Sequence, residues 1–206
     1  MKILIGIVIG VVVLSIARPY LGRLFDAEHK RLSAGSSTAS TSAGGSGYGL
    51  HFSPAEDLEA IDVKYLREAH ETVDVAMGDF ADETIANTLK QLAVGHVKIR
   101  IYRDPNHLRQ EQTGAEQFHR FSTSTILRGS VNIQIRTPQQ NGSQGMHLAS
   151  WCVDHRLLRD GSAPWSAEGE KRQDNQLRVT TDPGEVAAFE KAFDDMWTRA
   201  SNQIIQ

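Results

Sequence analysis

From Thr72 to Ile101 the apolar residues change period twice. Val73, Val75 and Met77 alternate, Ile85, Leu89 and Leu92 recur at helical spacing after Asp82, and Val97, Ile99 and Ile101 alternate again. Strands this apolar need cover on both faces, so the run points to α/β order with parallel pairing. Before it, Gly49-Leu50-His51-Phe52 reads as a short strand ended by Ser53-Pro54. Ala55 to His70 reads as a helix with Leu58, Ile61, Tyr65, Leu66 and Ala69 as its stripe. After it, Pro105 to Arg120 is polar and divided by Gly114, so a helix is expected over Ala115–Leu127. Val131, Ile133 and Ile135 make a strand, and Asn141 to Gly145 a loop. Met146 to Val153 is an apolar strand that turns at Asp154-His155-Arg156 into Leu157-Leu158. Leu177, Val179 and Thr181 suggest a last strand. Asp182-Pro183 then opens a C-terminal helix, with Asp as N-cap and proline in the first turn. Val186, Phe189, Ala192, Phe193, Met196 and Trp197 are expected to pack that helix onto the sheet. The expected fold class is α/β: a mixed, largely parallel β-sheet flanked by helices on both faces, preceded by an N-terminal hydrophobic helix.

The first residues follow other rules. Ile3 to Ile16 is apolar, broken only by Gly6, Gly10 and Ser15. That run is short of the roughly 20 residues that span hydrocarbon, but it lengthens through Tyr20, Leu21, Leu24 and Phe25 if Arg18 and Arg23 snorkel. Two readings fit residues 1–25. One is an uncleaved single-pass membrane anchor; the other is a signal peptide cut after Ala17, which would export the chain to a periplasm or the exterior. Arg18, Arg23, Lys30 and Arg31 favour the cytoplasm for the C-terminal side, whereas an export signal favours the opposite side. Residues 26–47 read as a flexible Ser/Gly/Ala-rich linker, since Ser33 to Gly47 has no side chain able to offset its ordering entropy. The folded domain is expected over residues 48–206.

Composition narrows the chemistry. The net charge of −3 disfavours a generic basic nucleic-acid binder, although it allows a local basic patch. The single cysteine, Cys152, excludes an intramolecular disulfide and a multi-cysteine zinc cluster. The sequence shows no His-x-x-x-His pair and no Asp/Glu cluster, so no metal and no cofactor are expected. Trp151 and Cys152 read as core residues and His119 as a helix-surface residue. Lys98 and Arg100 alternate with the apolar residues of their strand, and point either into a phosphate-binding groove or outward.

One stretch carries chemistry. His147-Leu148-Ala149 is followed by four residues, then Asp154, then six residues, then Gly161-Ser162. This resembles the phospholipase D superfamily motif: His-x-Lys, four residues, Asp, six residues, Gly-Ser. His147, Asp154, Gly161 and Ser162 match it in register. The likeness extends over about residues 48 to 200. Leu50 to Pro54 looks like the family's first strand, Val73 to Phe80 its second and Gly95 to Ile101 its third. Asp174-Asn175 resembles its acidic-Asn signature. A single motif copy is similar to the small bacterial nucleases and the cardiolipin hydrolase group.

The resemblance implies a two-step phosphodiester exchange without metal, in a homodimer whose two motifs meet across a two-fold axis. One His147 would attack phosphorus and the other would protonate the leaving oxygen. By the same resemblance Asp154 is mainly structural, Ser162 and Asn175 support the phosphate, and Asp174 orients a histidine. The substrate would be nucleic acid or phospholipid, and the membrane a partner through residues 1–25. Two positions depart from the pattern: the lysine is Ala149, and the asparagine after Gly-Ser-x is Pro164. Residues i and i+2 of a strand share a face, so Ala149 removes a cation beside His147. Pro164 removes a backbone N–H and an amide. Lys171 or Arg172 on the following loop is the nearest substitute in sequence. The expectation is therefore a phosphodiesterase of impaired activity; the alternative is an inactive binding module for phosphate-bearing ligands or a partner protein.

Overall fold

A computed structural model of the chain describes residues 48–139 and 145–205. The expectations for residues 1–25 and 26–47 fall outside this range, as does most of the Asn141–Gly145 loop. Among the described residues no helix is long and apolar enough to cross a membrane.

The chain alternates β1 (Leu50–Ser53), α1 (Leu58–Leu66), β2 (Thr72–Met77), α2 (Glu83–Val94) and β3 (Lys98–Tyr102). It continues with α3 (Pro105–Gln117), α4 (Thr123–Leu127), β4 (Ile133–Thr137), β5 (Ala149–Val153) and β6 (Leu157–Gly161). It closes with α5 (Ala167–Lys171), β7 (Asn175–Thr180), α6 (Pro183–Trp197) and β8 (Gln203–Ile204). The strands form one sheet in the order β1-β7-β6-β5-β2-β3-β4-β8.

The sheet is mixed and covered by helices on both faces, as expected. The expected parallel majority is corrected: only β2–β3 and β3–β4 pair parallel, and the other neighbours run antiparallel. For β5–β6 the reason is connection length; the other antiparallel pairs are joined by longer segments. Parallel strands need a helical crossover, whereas β5 and β6 are joined by a tight turn. Asp154 and His155 hold positive φ there, which matches the twist of a hairpin. Apolar alternation is the same for either pairing, so it could not tell them apart.

Side-chain alternation splits the core. Val73, Val75 and Met77 face α1 and α2, in one cluster with Leu58, Leu66, Ile85 and Leu89. Ala76 faces α6 and meets Phe193, Met196 and Trp197, while Cys152 and Leu158 meet Val186. Asp182 caps α6 through Glu185 N, with Pro183 in the first turn, as the sequence predicts. The expected helix over Ala115–Leu127 is corrected. Asp104 caps a helix that starts at Pro105 and runs through Gly114; the break comes after Gln117. Its buried residues are Pro105, Leu108 and Ala115 alone, too sparse a stripe to read as periodic.

A buried polar knot joins α1 to the motif strands. Asp62 accepts from Trp151 Nε1 at 2.9 Å and Trp165 Nε1 at 2.8 Å, and from Arg159 Nε at 3.2 Å. Asp62 and Arg159 are both fully buried. The guanidinium also donates to the Ala149 and Ala163 carbonyls, so it bridges both halves of the motif.

Candidate active site

His147 lies in the extended lead-in to β5, which begins two residues later, at Ala149. Two features hold this lead-in. Asp104 Oδ2 accepts from Met146 N at 3.0 Å, while Oδ1 caps α3 through Asn106 N and His107 N. Gly78, just past β2, donates its N–H to Leu148 O at 3.0 Å. A Cβ on Gly78 would stand 2.6 Å from Met146 O, so only glycine lets the two backbones approach this closely.

His147 is exposed and lines an open cleft of about 540 Å³ with Ala149, Gly161, Asp160, Arg178 and Glu185 among its walls. Ala149 is 7% exposed, packs with Trp151 and Val153 in the α1/α2 core and is also among the residues lining the cleft. Gly161 faces Leu177 across the sheet with φ +156, and a Cβ there would meet Gln176 O at 2.3 Å. The motif's glycine is thus required by the β6–β7 contact.

The other motif positions are spread out. Ser162 Oγ donates to Asn175 Oδ1 at 2.9 Å and accepts from Gln176 N at 3.1 Å. Asn175 in turn donates to Gly169 O at 3.0 Å. Asp174 is exposed beside them. Pro164 turns toward α5, where a Cβ on Gly169 would lie 2.6 Å from its ring. Asp154 sits at the far end of β5, beyond Val153. Its carboxylate accepts from His70 N at 2.8 Å, Glu71 N at 2.8 Å and Thr72 N at 2.9 Å.

Burial works against the charged form of Asp154, but those three N–H groups outweigh it and hold its carboxyl below the usual range. A carboxyl held below its unfolded value contributes stability that is full above about pH 4 and fades as pH falls through the folded value. Asp154→Asn should therefore lower the melting temperature at neutral pH, and the gap to the unsubstituted chain should close on acidification. A gap unchanged from about pH 6 to about pH 2 would contradict this.

The candidate substitutes for the missing lysine are committed elsewhere. Lys171 pairs with Glu59 at 2.7 Å, and Arg172 lies 3.4 Å from Glu168. Arg100 pairs with Asp74 at 2.6 Å and Asp194 at 2.9 Å, and lies over the Phe193 and Trp197 rings. With Lys98 it lines a separate pocket of about 470 Å³ that shares no residue with the His147 cleft. Trp151 and Cys152 are core, as expected; burial pushes the Cys152 thiol up to about 12, which keeps it protonated. His119 follows the end of α3 with positive φ rather than lying on the helix surface.

Sequence reading missed Arg178. It stands on β7 between the expected core residues Leu177 and Val179, pairs with Asp160 at 3.0 Å and Glu185 at 2.9 Å, and lines the His147 cleft. Its alternation with apolar neighbours was the available signal. The expectation that no Asp/Glu cluster exists is also corrected. Glu59, Asp82 and Glu170 are distant in sequence, but their carboxylates converge outside the His147 cleft.

Residues 63–197 match the family model described as "Cardiolipin synthase, PLD-like domain". The mitochondrial cardiolipin hydrolase of Chlamydomonas reinhardtii is 24% identical over 133 residues, covering 65% of this chain and 54% of that protein. The chain thus spans about half the length of that curated relative. Among solved structures, Nuc of Salmonella typhimurium, a phospholipase D family member, matches with a TM-score of 0.64 at 16% identity, covering 75% of this chain and 95% of that one. NucT from Helicobacter pylori matches with a TM-score of 0.61 at 21% identity, covering 72% and 93%. At these identities the likeness is one of fold.

Proposed function

From the premise that the chain belongs to the cardiolipin synthase PLD-like domain family, we propose that it is a phosphodiesterase that uses His147 as nucleophile on nucleic acid or phospholipid, with turnover weakened by Ala149. The observation that carries this reading is the exposed His147 at the rim of an open cleft, beside Ala149 and Gly161 of the same motif.

In the proposed reaction one ring nitrogen of His147 attacks phosphorus. The bond to the leaving oxygen breaks, and that oxygen takes a proton from the His147 of a second copy. That histidine, now neutral, takes a proton from water as the water oxygen attacks phosphorus and breaks the P–N bond. Both histidines end as they began, and no cofactor enters the balance. Ser162 and Asn175, hydrogen-bonded to each other, support the phosphate, and Asp174 orients a histidine. Asp154 acts from a distance by tying the turn that follows β5 to the backbone entering β2.

The weak point is charge. Among the described residues that line the cleft, Arg178 is the one Lys or Arg, and it is flanked by Asp160 and Glu185. A phosphate approaching His147 meets more negative than positive charge there. This favours the second reading, a binding module that holds a phosphate-bearing ligand or a partner protein without turnover. The test is to incubate the chain with single-stranded DNA, RNA and cardiolipin vesicles, with His147→Ala as the blank. Slow cleavage of one substrate that His147→Ala abolishes is the expected result. Cleavage that persists in the blank would overturn the assignment.

The two-histidine chemistry requires a two-fold dimer with the His147 side chains facing each other. Sedimentation at tens of micromolar should give twice the chain mass, and a lone monomer would count strongly against the mechanism. Residues 1–25 are proposed to tether the domain to a membrane, or to direct its export before cleavage.

A further inference from the structure

We propose that Glu59, Asp82 and Glu170 form a binding site for a calcium-sized divalent cation that clamps α1, α2 and α5 together. Glu59 lies in the first turn of α1, Asp82 is the N-cap of α2 and Glu170 lies in α5. Each offers a carboxylate oxygen, and these oxygens all lie within 4.8 Å of one another.

Acidic side chains often gather without an ion, so the case rests on Glu170. Its side chain is 0% exposed, and neither of its oxygens has a hydrogen-bond donor. A carboxylate taken out of water with no donor and no cation is strongly unfavourable. The neighbouring acids are differently placed. Asp62 has two indole donors and Arg159. Asp82 Oδ1 caps α2 through Ile85 N at 2.8 Å. Glu170 is buried with both oxygens unsatisfied, and one of them lies within 4.8 Å of a carboxylate oxygen of each of the other two.

The charge count points the same way. Among the described residues Lys171, 2.7 Å from Glu59 and 3.7 Å from the exposed Asp57, is the cation paired with the trio, since Arg159 is committed to Asp62. Three carboxylates less one ammonium leave two negative charges, which a divalent ion cancels. Protons are the competing solution: burial, reinforced by the nearby acids, pushes Glu170 up to about 10.

Donor chemistry and size select the ion. An all-carboxylate set suits a hard cation rather than zinc or copper. Calcium binds oxygen at about 2.3–2.6 Å, so its ligands stand at most about 5 Å apart, and the three oxygens, all within 4.8 Å of one another, fit inside that span. Magnesium, at about 2.0–2.1 Å, usually keeps several waters and is seldom held by an all-protein cage, so calcium is the better match to three protein carboxylates. The clamp would steady the segment from Gly161-Ser162 through α5 to Asp174-Asn175, because Glu170 lies in its middle.

The test uses the full chain, stripped with chelator and dialysed. Melting temperature is followed with calcium, with magnesium and with neither. Terbium is titrated as a calcium probe under tryptophan excitation, since Trp165 reaches Asp62 in the same buried region. The expected results are a calcium-induced rise of about 5–10 °C at a hundredfold excess over Kd, and terbium emission saturating at one ion per chain, displaced by calcium at lower concentration than by magnesium. Glu170→Gln should abolish both responses, while in chelator its melting temperature is no lower than that of the unsubstituted chain. If that variant does not fold, Glu59→Gln, nearer the surface, should weaken terbium binding at least tenfold. A melting temperature indifferent to calcium, or terbium affinity unchanged in the folded variant, would overturn the proposal. Tighter binding of magnesium would overturn the choice of ion.

Discussion

Ala149→Lys is expected to raise phosphodiester cleavage by at least about 10²-fold, the scale of a restored transition-state donor. Ala149 opens β5, packs in the α1/α2 core and is also among the residues that line the His147 cleft. A lysine stem is long enough to bury its methylenes and carry its ammonium toward the cleft. The nucleophile is already present, so the substitution supplies only charge stabilisation. Arg178 does not supply it, because Asp160 and Glu185 hold its guanidinium. The stem enters a site that is 7% exposed, so some stability is lost, and the fold of the variant must be verified by its melting curve. Cleavage of a chromogenic bis-aryl phosphate is the assay, with His147→Ala in both backgrounds as the blank. Adding Pro164→Asn tests whether the loop must also change, since that ring now rests against Gly169 of α5. Silence in a correctly folded lysine variant would favour the binding module. Brisk cleavage by the unsubstituted chain, lost in His147→Ala, would show that another cation already serves.

Asp62→Ala should destabilise the domain by about 3–5 kcal/mol, because it leaves a buried cation without its partner. Arg159 is fully buried, and its remaining acceptors are carbonyls of Ala149 and Ala163. The indoles of Trp151 and Trp165 lose their acceptor in the same step. The loss should appear as a lower urea midpoint with an unchanged slope. Asp195→Ala, which breaks the exposed pair with Lys191 on α6, is the control and should shift stability by no more than about 0.5 kcal/mol. A loss under about 1 kcal/mol for Asp62→Ala would mean that Arg159 finds water or another acceptor. The knot also carries the motif, since Arg159 ties the start of β5 to the segment after Gly161. Loss of His147-dependent chemistry should therefore follow the loss of fold.

The sequence by itself determined the elements whose signal is local. β2 needed only alternating apolar residues, and the start of α6 only Asp182 and Pro183, because backbone geometry and capping act over a few residues. The spacing of His147, Asp154, Gly161 and Ser162 was legible for a similar reason: a strand, a tight turn and a returning strand fix their separation along the chain. The tertiary structure alone decided what depends on residues distant in sequence. Pairing direction depended on where strands distant along the chain enter the sheet, so the expected parallel majority gave way to antiparallel pairs, of which only β5–β6 is a hairpin. Nothing along the chain marks Asp62 and Arg159 as partners, and only folding buries them together. Arg178 entered the His147 cleft because β7 returns beside β6, and Glu59, Asp82 and Glu170 met because three helices converge on one face. In each case the deciding energy is burial or charge acting between groups brought close by the fold, and periodicity along the chain carries no record of it.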